Sequence, residues 1–237
     1  MRRFLLFIWL LLPLGVTAYH LGPGQDQMDL DEAAQQVAIA EKHAAEEDYD
    51  GAVAAYDFAL AALPEEETAL AREVRLNRAK AKMLTTLLPE ARAELEDLHR
   101  ELEDAGDADA RVKDETRAAL AGSQYYMTWL MRLEGFSEEE WMPEIEASRQ
   151  NFRHLAENAE ASGDKVSAGA FQKDLEAAVK LARMDLSDLQ GMPLPCQCNC
   201  NCSGKKPSQG KKKKPTGKKP KDNRGAGDVP PPDGVGS

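Results

Sequence analysis

Four thiols fall within seven residues, at Cys196, Cys198, Cys200 and Cys202, and form the densest group in the chain able to do chemistry. Thiolates this close can wrap a soft ion, and Zn(II) or Cu(I) is the class such a set would hold. Structural zinc sites pair cysteines two to four residues apart on two separate arms, whereas this run offers a single arm. Outside the cytoplasm the competing fate is oxidation, to disulfides within the segment or to a second molecule. A third reading gives the thiols no role beyond a compositionally biased tail. The four histidines, His20, His43, His99 and His154, stand on different segments. The chain has no phosphate-cradling Gly loop, nucleophile elbow or His-Glu-x-x-His pattern. Its many carboxylates are spread as helix surface charge and single out no acid–base pair. The residue types therefore point away from an enzyme, and no cofactor is expected beyond Zn or Cu(I) at the thiols.

Charge divides the chain into three. The formal net charge of -11 is +2 over residues 1–20, -20 over 21–202 and +7 over 203–237. An acidic middle repels phosphate backbones, so nucleic acid is not expected on the folded body. Ala, Leu, Glu, Arg and Lys dominate that middle while Val, Ile and aromatic residues are sparse, which predicts an all-α fold. Ahead of it, Arg2 and Arg3 precede the apolar run Phe4–Leu14 and the small residues Gly15 to Ala18, the pattern of a signal peptide over residues 1–18. The run of about 11 apolar residues is short of the roughly 20 that cross a hydrocarbon core; the alternative to cleavage is a retained N-terminal membrane anchor. Either fate exports the body to the cell envelope, periplasm or exterior. Residues 19–29 read as a linker.

From Asp31 to Ala62 two helical patterns are separated by Glu46-Glu47-Asp48-Tyr49-Asp50-Gly51, a break short enough only for a helix–turn–helix connection. The second helix carries Ala52, Tyr56, Ala59 and Leu60 and then Pro64: small residues where helices approach, an aromatic to fill the gap, and a stop. These residues resemble the tetratricopeptide repeat, whose second helix has a small residue, a Tyr or Phe four later, an Ala three after that and a terminal Pro. Asp48-Tyr49-Asp50 is similar to that family's turn, Ala40 takes the small position of its first helix, and His43 stands where a Tyr is usual. The resemblance covers residues 33–66. It returns after 39 residues, with Ala79 and Ala91 in the places of Ala40 and Ala52, Leu88 for the turn Tyr, and Leu95 and Leu98 for Tyr56 and Ala59. The family period is about 34, so about five extra residues near Glu66 to Leu70 must lengthen this unit.

Gly106 to Asp109 breaks the pattern again. A third pair follows, Arg111–Leu133 and, after Gly135, Ser137–Ala161, the latter opening on a capping box between Ser137 and Glu140. Gly122 with Tyr125 and Ser148 with Phe152 are similar to the two helix signatures. Ser162-Gly163-Asp164 closes the pair. Phe171, Leu175, Ala178, Ala182 and Leu186 then recur at helical spacing over Lys165–Leu189, as in a helix that covers the last apolar face of a solenoid. The expectation over residues 30–190 is seven helices, three antiparallel pairs and a C-terminal cap, in a tetratricopeptide-like α-solenoid. A Pro/Cys-rich segment (191–202) and a Lys/Pro/Gly tail (203–237), too polar to bury a core, complete the chain.

The resemblance implies a groove lined by the first helix of each pair, here 31–47, 68–86 and 110–133, that holds a peptide or helix. The middle one carries Arg75, Arg78 and Lys82 on one face. They would attract an acidic segment of a partner protein, or else pair with the chain's own acidic neighbours. Gln124 to Met131 is the most aromatic stretch; Tyr126 and Trp129 are there as partner anchors or as core. The basic tail suits anionic lipid, a cell-wall polymer or an acidic protein surface, or serves only to solubilise. The reading is a non-catalytic adaptor or scaffold in the cell envelope, with thiol-based metal binding as its alternative.

Overall fold

The computed structural model describes residues 23–192 apart from Asp107, together with Trp9, Pro13 and Thr17. The expected signal or anchor over 1–18 falls almost wholly outside the described residues, and so do the cysteine run and the basic tail. Among the described residues every regular element is a helix: α1 Pro23–Ala45, α2 Tyr49–Ala62, α3 Thr68–Lys82, α4 Leu88–Asp104, α5 Ala110–Glu134, α6 Glu138–Ser162, α7 Lys165–Arg183 and α8 Leu186–Gln190. No helix among them is long and apolar enough to cross a membrane.

Local chemistry sets most of the boundaries. Pro23 opens α1 with a backbone angle already helical and no N–H to satisfy. The helix therefore takes in the last seven residues of the stretch read as a linker, because nothing after Gly24 is able to break it. At the turn into α2, Asp48 Oδ1 accepts from the Gly51 amide at 3.1 Å while Oδ2 meets His43 Nδ1 at 2.8 Å. A Cβ on residue 51 would lie 2.4 Å from that same Oδ2, so glycine is what leaves room for the cap. Asp109 caps α5 by accepting from the Arg111 amide, and Asp164 caps α7 by accepting from Val166 and Ser167. Pro89 sits in the first turn of α4. The expected capping-box pair at α6 is present, with the Ser137 amide and hydroxyl both donating to Glu140 Oε2 at 2.8 Å. Gly135 and Gly163 end α5 and α6 in the left-handed region, at φ 85° and 82°.

Short turns make successive helices antiparallel, and each of α1 to α7 packs against its neighbours in sequence; α3 also touches α5, and α8 touches α5. Burial is correspondingly serial. Ala40, Ala52, Val53, Tyr56, Ala59 and Val74 join α1, α2 and α3. A second core of Leu76, Ala79, Leu88, Leu95, Leu98 and Leu120 joins α3, α4 and α5. A third, with Trp129, Trp141, Ile145, Phe152, Leu181 and Leu189, joins α5 to α8. Each core is built from three or four helices that are consecutive in the chain, as in a quasi-one-dimensional array.

One expectation fails at the C-terminal end, where the single helix over Lys165–Leu189 is broken at Met184 and Asp185. The cause lies on α5. The buried Arg132 guanidinium donates through Nη1 to the Leu181 carbonyl and through Nη2 to the Met184 carbonyl, and it stacks 4.6 Å from the centre of the Trp141 ring. These bonds take carbonyls at the C-terminal end of α7, and the chain turns to bring Leu189 into the third core. The described residues thus hold eight helices where the pattern predicted seven.

Candidate functional site

Helix α3 is the basic element of an acidic body, and its cations face neighbouring helices. Arg78 donates from Nη1 to Asp57 of α2 at 2.5 Å and from Nη2 to Glu94 of α4 at 2.5 Å. Lys82 reaches the other oxygen of Glu94 at 2.8 Å. One helical repeat along, Arg75 at 2.6 Å and Arg72 at 2.8 Å share Glu101. On the side toward α5, Lys80 meets Glu115 at 2.8 Å, and Arg111 bridges Glu73 and Glu115. The Arg75, Arg78 and Lys82 face expected to draw an acidic partner is therefore a seam, closed by carboxylates of the same chain. Glu94 and Glu101, seven apart on α4, are the residues missed in the sequence; their spacing matches the antiparallel run of cations on α3 and was the available signal.

Burial alone would raise the Glu101 and Glu115 carboxyls. The hydrogen bonds from Arg72 and Arg75, and from Lys80 and Arg111, outweigh it and hold both below the usual carboxylate value. Their contribution to stability is therefore present above the unfolded carboxylate pKa and lost as pH falls through the lowered folded values. Glu94 is the most enclosed carboxylate of the seam, with 11 % of its side chain exposed, and it answers two cations. Glu94→Gln is expected to cost about 2 kcal/mol in urea unfolding, because it leaves Arg78 and Lys82 half-buried with one carboxylate fewer.

The aromatic stretch is placed inward. Trp129 is buried between α5, α6 and α7, and Tyr126 is buried in the second core. Tyr125 packs edge-on to Tyr126 with ring centres 5.5 Å apart. Ser148 of α6 donates to the Ala121 carbonyl at 2.8 Å, and Asn151 donates to Gln124 at 3.1 Å, so polar as well as apolar contacts fix α5 against α6. The structure thus brings Arg75, Arg78 and Lys82 together on one seam and puts Tyr126 and Trp129 in two different cores. Cys196, Cys198, Cys200 and Cys202 lie outside the described residues.

Asp174 of α7 is half-buried close to Tyr125, and burial raises its carboxyl above the ordinary value. Among the described residues no hydrogen bond or ion pair answers it. The sign is opposite to that of Glu101: the penalty is absent below the unfolded pKa, grows as pH rises toward the raised folded value, and is complete above it. Asp174→Asn is expected to stabilise the protein by about 1 kcal/mol at neutral pH. The gain should disappear in acid, which unfolding curves at pH 3.5 and 7 would measure.

What remains outward is unevenly charged. Residues 23–67, spanning α1 and α2, hold thirteen carboxylates and a single cation, Lys42. Asp57 is paired to Arg78 and Asp48 is committed to the turn. Met28 and Ile39 on α1 and Phe58 on α2 are exposed. No family model, curated protein or solved structure matches the chain.

Proposed function

We propose that this chain is a non-catalytic adaptor, exported to the cell envelope, whose tetratricopeptide-like helical array is a docking platform for another protein. The observation that carries this reading is the serial packing: three small cores strung along the chain leave long outward helix faces. Ion pairs between α3 and α5, first helices of consecutive pairs, support the likeness to the repeat family. The pairs start at Pro23, Thr68 and Ala110, further apart than the family period, so the repeats are elongated ones. The test is affinity capture from envelope extract with the full chain and with a variant whose tail cations, Lys205 to Arg224, are neutral. Capture by both baits at raised salt upholds the helical platform. Capture that vanishes with the tail charge overturns it and moves the function to the tail.

The spacing of Cys196 to Cys202 favours a second reading, thiol-based metal sequestration. It predicts about one bound Zn or Cu(I) per chain after reducing purification, lost when the cysteines become serine.

A further inference from the structure

We infer that the outward face of α1 docks a cationic amphipathic helix of the partner, which rests on the adaptor reading and assigns the partner's chemistry. The face is defined by what α1 turns the other way. Ala33 and Ala40, with Val37 and Ala44, occupy the stripe that packs on α2. Met28 and Ile39 are 59 % and 37 % exposed and lie on the opposite stripe. Eleven residues separate them, which is three turns and about 16 Å of helix, so both point the same way. Glu32 and Gln35 lie along the line between them, with Asp31 and Asp29 on its two flanks, all exposed. None of these carboxylates has an ion-pair partner among the described residues, whereas every cation of α3 has a carboxylate partner.

Charge complementarity selects the occupant. An acidic partner would meet the field of residues 23–67, where thirteen carboxylates are opposed by Lys42 and, at Asp57, by Arg78 of α3. A wholly polar basic chain would leave Met28 and Ile39 in water. A helix with apolar residues over about three turns and Lys or Arg on its flanks satisfies both the two anchors and the carboxylates beside them.

The test uses the full chain and a fluorescent 18-residue Leu/Lys peptide patterned as an amphipathic helix, with anisotropy read at physiological salt. Two further probes are a scrambled peptide of the same composition and a patterned Leu/Glu peptide. The patterned Leu/Lys peptide is expected to bind at least about tenfold more tightly than the scrambled one, and the double variant Met28→Ser, Ile39→Ser to abolish that difference. Both positions are exposed, so circular dichroism should show the fold unchanged. Equal binding of patterned and scrambled peptides would reduce the effect to charge attraction and overturn the proposal. Retention of the preference by the double variant, or equal binding of the Leu/Glu peptide, would also overturn it. Self-association of the chain that the double variant loses would give the face to a second copy and overturn it as well. The adaptor reading fails separately, when the envelope extract yields no salt-resistant capture.

Discussion

Trp129→Ala is expected to lower the free energy of unfolding by about 4 kcal/mol, read from urea curves followed by far-UV circular dichroism. The indole is 2 % exposed on α5 and packs in the core with Trp141, Ile145, Phe152 and Leu181. Tyr125 lies against it, with ring centres 6.3 Å apart. Four helices meet there, so truncation opens a cavity that no single helix can shift to fill. The loss combines the apolar surface no longer buried with the contacts forfeited around the void. Domains of this size have about 5–15 kcal/mol in total, so the variant should lie near its unfolding threshold at 37 °C. Trp129→Phe keeps most of the ring and should lose about half as much. The result also separates the two sequence readings of this residue. A partner anchor truncated on a surface leaves the unfolding curve in place and weakens binding alone, whereas a core indole moves the curve before any partner is added.

The helical framework was legible because close approach demands small residues, and small residues show in a sequence. Ala40, Ala52, Ala59, Ala79, Ala91, Leu95 and Leu98, picked out by their resemblance to the repeat signature, are all 0 % exposed. The capping residues Ser137 and Glu140 and the terminal Gly135 and Gly163 were legible for the same kind of reason, since backbone geometry at a helix end admits few side chains. Facing was harder. Arg75, Arg78 and Lys82 share a stripe whichever way α3 is rotated; only the position of Glu94 and Glu101 on α4 turns that stripe into an inter-helix seam. The charge imbalance of α1 and α2 was present in the sequence and acquires meaning once the cations of α3 are seen to be committed elsewhere. The break before α8 had only a weak local signal, Asp185 at the N-cap with Asp188 in the first turn: Leu186 continues the apolar period of α7, and the arginine that takes the carbonyls at the end of α7 is forty-nine positions before Leu181.

That residue sets the second large effect. Arg132→Met is expected to cost about 3 kcal/mol in the same urea assay, because it removes two charge-assisted hydrogen bonds and a ring contact, and leaves the Leu181 carbonyl with the Met184 amide alone as its donor. Burial works against the charge, lowering the guanidinium from its ordinary pKa, with Asp185 and Glu138 opposing that shift. Part of the cost of holding a cation there is thus already present in the native protein, and methionine recovers it, which is why the expected loss is below the sum of the separate contacts. Lysine tests the geometry. An ammonium keeps the charge but cannot fork to two carbonyls three residues apart while lying flat on Trp141, so Arg132→Lys should recover less than half of the loss. The effect should also be local before it is global. With its carbonyls released, the end of α7 frays, and amide exchange should accelerate over residues 181–190 while the amides of α1 and α2, whose core is separated from this one by the second core, keep their protection. Uniform acceleration along the chain would mean that the three cores unfold as one unit and that the array is not serial in its energetics.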